Sequence, residues 1–446
     1  MARKPSLLTR FRPPPDIVEA APAQTESRWL EVTVFFVVLV GGYFLWSAVG
    51  LIDRYEDKIT ANYLATDPPL LPQSDFTMFY AGSRFVRASD NEYLYDLPQL
   101  VRRILIVRGY DVSRIDASPD PYTEDTRWLR YYNPPFFLFA LTPITFLDIK
   151  TAYLVMLGLN IALLVLLAIS LAAVLRWRQP ESILIALALA GFAPVYFTLE
   201  HGQPTVLLAL LLATGYLALR NGRIVLAAVF LALTSLKPNW LLPALATLKP
   251  NPRLRLPFAI ALLALLILPF AVLGPDTLFD YVRLITARGN DDLTDPIYAG
   301  SLLSWAGFFR ALLGEPHPEL WLAASIVTML VFLVLWWRAG TAVAISGSVL
   351  AGLIVVPHSH PQDWVLVAPA AAILLQTTRA WHPAERLTVA FSLLALYTGT
   401  NDWQAAQHRM EDNGSAIFWS TFVAFALLCY LALISWRQDK APNDAL

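Results

Sequence analysis

"IVLAAVFLALTSLKPNWLLPALATLKP", residues 224–250, is a long apolar run interrupted at Lys237, Pro238 and Asn239. How that interruption is resolved sets the topology of the whole chain. A single helix through it would hold a lysine at mid-span, costing several kcal/mol unless it met water or a partner, and would lose a backbone hydrogen bond at Pro238. Two half-helices meeting at Lys237 avoid both costs. They also return "LKPNPRLR", with Lys249, Arg253 and Arg255, to the side from which the run began. The second half is short, with about ten apolar residues where a full crossing takes roughly twenty.

Outward from this break, further apolar runs fall near 32–52, 152–175, 183–198, 205–219, 256–273, 320–337, 341–357, 364–377, 387–400 and 416–435. The first, "VTVFFVVLVGGYFLWSAVGLI", is too long for a signal-peptide core and lacks a small-residue cleavage site, so it reads as a retained anchor. Lys and Arg cluster in the N-terminal arm, in "RWRQPE", "RNGR", "WWR" and "TTRAWHPAER", and in the tail "SWRQDK". With the run broken at Lys237, all these become cytoplasmic and about twelve crossings result, both termini inside. The fold class expected is an all-α polytopic membrane protein. Its parts are a disordered, Pro-rich cytoplasmic arm (1–31), one transmembrane domain (32–436) and a cytoplasmic tail (437–446). Within that domain, residues 53–150 form a first outer loop with interfacial or re-entrant helices.

Composition agrees: 57% of the residues are hydrophobic and only 15% charged, and mean hydropathy is +0.52, outside the balance of soluble domains. The partners this implies are membrane lipids. A net charge of -1 offers no field to collect a polyanion, which argues against nucleic acid. The single Cys429 excludes an internal disulfide framework and a cysteine-rich metal cluster. Without a Gly-rich phosphate loop, a nucleophile elbow or HExxH, nucleotide hydrolysis and serine or zinc proteolysis have no support.

Four polar segments fall on the outer side: residues 53–133, "LEHGQPT", residues 274–318 and "PHSHPQDW". In "SDFTMFYAGSRFV", Ser74 or Asp75 can cap an interfacial helix, and a carboxylate there is wet enough to ionise and close enough to meet a lipid-borne substrate. Pattern alone favours a plain N-cap over that role. Arg84 and Arg87 can hold phosphate or snorkel to headgroups. Asn133, Pro134 and Pro135 stop any helix before an apolar stretch of about fourteen residues, too short to span, which reads equally as a re-entrant helix or a buried connector. "FTLEHGQPT" places Glu200, His201 and Gln203 at an outer helix end, where a polar turn is the simpler reading. His358, His360 and Asp363 fall within "PHSHPQDW". Their spacing is not that of a helical metal pair, so no metal is expected; acid, base or phosphate-donor roles compete with a solvated loop.

Taken in order, "SDFTMFYAGSRFV…YLYD", "YNPPFFLFALTPITFL", "HGQPTVLLALLL", "LTSLKPNWLLP" and "PHSHPQDWVLVAP" resemble the motifs of glycosyltransferase family 87. The resemblance covers residues 32–377. It implies a GT-C fold and a sugar taken from a polyprenyl-phosphate donor, as in the polyprenol-phosphate-mannose-dependent mannosyltransferases. It places the enzyme in a bacterial cytoplasmic membrane with its active site on the outer side, needing no cofactor beyond the donor, and with a lipid or glycan acceptor. It makes Asp75 the catalytic base. Arg84, Gln203, Lys237, His358 and His360 become donor-phosphate or substrate residues, and Tyr80, Asn133, His201 and Asp363 further pocket candidates. Thr205 stands where members often carry Asn, and Ala299, Gly300 and Ser301 where Asn-Gln-Ser is common, which bears on the sugar or acceptor. A transporter or lipid flippase is the alternative, opposed by the lack of matched halves and of a buried charge chain.

Overall fold

The computed structural model describes residues 38–53, 75–90, 94–107, 134–177, 179–291, 302–402 and 419–438. The chain divides into residues 1–43, described only where an apolar helix (Val38–Asp53) begins, and residues 44–446. Every element described is helical. Four helices are long and apolar enough to cross a membrane: Ile149–Leu175, Pro252–Leu273, Pro318–Arg338 and Trp419–Arg437. A fifth candidate is the pair Ser182–Ala190 and Ala193–His201, bent by 60°. Val38–Asp53, Thr205–Arg220, Ile224–Leu236 and Thr341–Val355 are apolar but shorter. About twelve crossings were expected from the apolar runs, two of them short half-helices. The described helices divide differently because several runs are cut by turns before reaching full length.

The cut at Lys237 is real. Helix Ile224–Leu233 tightens into a 3-10 turn, Lys237 is extended (φ -114°, ψ 113°), a second 3-10 turn covers Pro238–Trp240, and Leu241–Ala246 forms a six-residue helix. That helix is only about 9 Å long. With its flanking turns it nevertheless runs beside Thr341–Val355, from Lys237 to Lys249.

Basic side chains tie one end of the bundle together. Arg220 donates to the Ala173 and Val174 carbonyls (3.1 Å each) and Arg379 to Leu175 (2.9 Å), satisfying the last carbonyls of Ile149–Leu175. Lys249 donates to the Trp336 carbonyl at 3.2 Å and to that of Trp337, Asn251 Nδ2 to Thr341 Oγ1 (3.1 Å), and Arg338 lies 4.5 Å over the Trp436 ring. The turns after residues 175, 220, 246, 338 and 377 therefore share this end.

The bend at Gly191 is clamped from another helix. Asn401 Oδ1 accepts from Ala193 N (2.8 Å), and its Nδ2 donates to the Gly191 carbonyl (2.7 Å) and Ser47 Oγ (3.1 Å). Phe192, at the N-cap of Ala193–His201, brings no side-chain cap of its own, so Asn401 supplies it.

Candidate active site

The opposite end of the bundle gathers the polar segments. Asp75 opens the helix Asp75–Ala88, in whose first turn a carboxylate is favoured by the backbone dipole. Phe76 and Phe79 anchor this helix: both are buried, edge-on to Tyr153 (centroids 5.5 Å) and Phe137 (5.2 Å). Ser83 Oγ donates to the Leu138 carbonyl (3.2 Å). The segment after Pro134–Pro135 is thus a short helix, Phe136–Leu141, and a 3-10 turn, Thr142–Phe146, packed against Asp75–Ala88.

Gly202 ends Ala193–His201 in the left-handed region (φ 61°), and a Cβ there would stand 2.7 Å from Phe76 Cβ. Only glycine satisfies both the conformation and the approach. This contact brings the next residue, Gln203, onto Asp75, whose Oδ2 accepts a short hydrogen bond from Gln203 Nε2. Gln203 itself is buried.

Lys237 reaches the connector between Thr341–Val355 and Val367–Thr377. Its ammonium lies 2.7 Å from Asp363 Oδ1, with side-chain exposures of 11% and 1%: an ion pair almost withdrawn from solvent. Asp363 Oδ2 also accepts from His360 N (3.3 Å), fixing the start of the 3-10 turn Pro361–Leu366. Leu303 N donates to the Ser359 carbonyl (2.8 Å), docking residues 302–304 on the same connector.

His360 sits among these groups. The residue is half-buried but its imidazole is surrounded by protein, and that burial pushes it down to about 4; Asp363 and Asp75 pull the other way, while His358 and Lys237 add to the fall. Asp75, His358, Lys237 and Asp363 therefore all act electrostatically on one ring, which is neutral near pH 7 and offers a hydrogen bond instead of a charge. Among the described residues no three His, Cys, Asp or Glu stand together as metal ligands.

Of the residues singled out in the sequence, Asp75, Gln203, Lys237, His358, His360 and Asp363 come together. Arg84 and Tyr80 do not join them. Nine residues along a helix is about 14 Å and half a turn away from Asp75, and the Tyr80 hydroxyl donates to the Leu147 carbonyl (2.6 Å). Arg87 is spent on the Thr145 carbonyl and the Phe146 ring, 4.9 Å from its centroid. His201 turns back on its own helix, with Nδ1 3.0 Å from the Phe197 carbonyl. Asn133 and Ser74 lie outside the described residues. The Lys237–Asp363 pairing, across 126 positions, carried no local signal.

No curated protein and no solved structure matches the chain. The sequence model of glycosyltransferase family 87 matches residues 131–357, just over half of it, and that stretch contains Gln203 and Lys237, the two side chains that hold Asp75 and Asp363. An all-helical apolar bundle with a carboxylate, an ion pair and a neutral imidazole at one end accords with that match: the chain belongs to glycosyltransferase family 87.

Proposed function

We propose that this glycosyltransferase moves a sugar, mannose being the first choice, from a polyprenyl-phosphate donor to a lipid-linked or glycan acceptor, with inversion. Its site would lie at the outer face of a bacterial cytoplasmic membrane, in a chain of about twelve crossings with both termini inside. The observation that carries this reading is the convergence of Asp75, Lys237, His358, His360 and Asp363 at one end of an apolar bundle. A glycosyl phosphate is already activated, because its leaving group is a weak base, so a paired acid and base of the glycosidase kind is unnecessary. One carboxylate suffices. Asp75, oriented by Gln203, takes the proton of the acceptor hydroxyl as its oxygen bonds to the anomeric carbon. The bond from that carbon to the phosphate oxygen breaks, and the charge departs on the polyprenyl phosphate. Lys237 has two further N–H donors beyond the one given to Asp363, and His360 adds a neutral donor, for the phosphate that leaves. The polyprenyl chain, like the residues of the apolar runs, partitions into lipid.

The test is to incubate membranes containing the protein with a panel of polyprenyl-phosphate sugars and identify the glycosylated product. Asp75→Asn, inserted and folded as the wild type, is expected to lose about 10²–10⁴ in rate. A fully active Asp75→Asn enzyme excludes this base; sugar movement across the bilayer with no new glycosidic bond would favour a transporter.

A further inference from the structure

Arg84 and Arg87 are the cations of helix Asp75–Ala88, and the candidate active site leaves both unused. Three residues apart on a helix, they stand side by side on one face, with Cβ atoms about 5–6 Å apart. Arg84 is nine residues from Asp75, about 14 Å along the axis, so a phosphate held there is not the one that departs beside that carboxylate.

Printed contacts fix what surrounds them. The Tyr80 hydroxyl, one turn before Arg84, donates to the Leu147 carbonyl (2.6 Å), while Arg87 donates to the Thr145 carbonyl and lies 4.9 Å over the Phe146 ring. The last turns of Asp75–Ala88 are thereby held on residues 145–147, just before Ile149–Leu175 begins. The charges of Arg84 and Arg87 both bear on the Tyr80 hydroxyl, and that of Asp148 opposes them. Asp148 is already engaged as the cap of Ile149–Leu175, accepting from Thr151 N (3.0 Å) and Thr151 Oγ1 (2.6 Å). Arg87 gives Thr145 one of the five N–H groups of a guanidinium. Arg84 is half-buried, yet among the described residues it has no hydrogen-bond or ion-pair partner. Two guanidinium groups against one carboxylate leave this corner with a single net positive charge.

The surface beside the cations is apolar and open. Phe146 is 76% exposed and Leu147 38%, and the helix that follows, long and apolar enough to span, exposes Leu154, Val155 and Leu159 within its first three turns. Guanidinium groups set next to open apolar side chains at the head of a span suit a lipid headgroup, whose phosphate takes forked hydrogen bonds while its chains cover the apolar surface. A soluble phosphate would leave Phe146 and Leu147 bare. The single net positive charge matches the single negative charge of a phosphodiester and disfavours a headgroup that also carries a cation. We propose that Arg84 and Arg87 bind the phosphate of an anionic phospholipid whose acyl chains lie over Phe146 and Leu147, at a site separate from that of Asp75. The bound lipid clamps the last turns of Asp75–Ala88 to residues 145–147, and so sets the height of Asp75, at the other end of the same helix, relative to the membrane. Which reaction Asp75 performs does not enter into it.

The experiment uses the full chain purified in a neutral detergent and a phosphatidylglycerol with a photoreactive acyl chain, its point of attachment mapped by peptide. Label is expected within residues 142–159. Unlabelled phosphatidylglycerol should compete about tenfold better than phosphatidylcholine, and glycerophosphoglycerol, the same headgroup without chains, should not compete. Arg84→Gln should cut the labelling about tenfold, as expected for the loss of one charged hydrogen bond. Its melting temperature without added lipid should match the wild type, because the Arg84 guanidinium has no partner in the protein to lose. Arg84→Lys, which keeps the charge but not the fork, should fall between the two. Equal labelling of wild type and Arg84→Gln, equal competition by phosphatidylcholine, or a melting temperature several degrees lower in Arg84→Gln overturns the site. Competition by the chainless headgroup would make it a phosphate site and not a lipid one, and a polyprenyl phosphate competing well ahead of phosphatidylglycerol would assign it to the donor; either result overturns the proposal.

Discussion

The Lys237 ammonium lies 2.7 Å from the Asp363 carboxylate, and the pair joins the break in one helical run to the connector between two others. Such a pair gains little over a hydrophobic substitute, but breaking it is expensive because the surviving charge stays buried. Lys237→Met should therefore destabilise the protein by about 3–5 kcal/mol, seen as a fall in melting temperature in detergent. The double variant Lys237→Met/Asp363→Leu should recover most of that loss and still transfer no sugar. Recovery of transfer in the double variant would mean that the pair is scaffold only.

Gly202 makes the contact that delivers Gln203 to Asp75. Alanine there takes on a left-handed conformation, about 1–2 kcal/mol, and crowds Phe76, about 1–3 kcal/mol more. Gly202→Ala should lower both melting temperature and kcat, and adding Phe76→Ala should relieve the crowding but not the conformational strain. If Gly202→Ala keeps full kcat, the approach of the two segments does not matter to the reaction.

The features legible in the sequence are those with a local cause. Pro238 removes a hydrogen bond and Lys237 cannot lie in lipid, so the break at 237 follows from two adjacent side chains. Basic turns point to a shared end for the same reason. The site was legible in its residue types but not in its helical phase: Arg84 and Asp75 share a helix yet lie on opposite sides of it. The partner of Lys237 was invisible, because nothing in either segment specifies a contact 126 positions away. The family match, residues 131–357, begins after Asp75 and ends before His360 and Asp363. Geometry brings these residues in, through Gln203 and Lys237.

His360 makes stability depend on pH in a definite direction. Its imidazole titrates at about 4 in the folded chain and near the ordinary 6.5 when unfolded. Above 6.5 both states are neutral there and its contribution is complete. As pH falls from 6.5 toward 4 the unfolded chain takes a proton that the folded one refuses, and stability declines by at most about 3 kcal/mol. His360→Gln should flatten this slope in melting temperature between pH 6.5 and 4 while leaving the region above 6.5 unsloped. Because the ring is uncharged at pH 7, the proposed role in transfer needs only an N–H donor, so His360→Gln should also retain more transfer than His360→Ala. Equal slopes in wild type and His360→Gln would assign the acid loss to other groups.

Asn401 acts on the site from a distance. It caps Ala193 N and grips the Gly191 carbonyl and Ser47, so it holds the 60° bend that aims Ala193–His201, and with it Gly202 and Gln203, at Asp75. Losing a cap of this kind costs about 0.5–2 kcal/mol, too little to unfold the bundle but enough to let the bend relax. Asn401→Ala should therefore leave expression intact and reduce kcat several-fold, with KM for the donor little changed. Asn401→Asp, which keeps the acceptor for Ala193 N, should recover part of that loss. Combined with Gln203→Ala, the Asn401→Ala effect should shrink, since the side chain it positions is already gone. Full additivity of the two substitutions in kcat would show that Asn401 works through something other than the Gln203 corner.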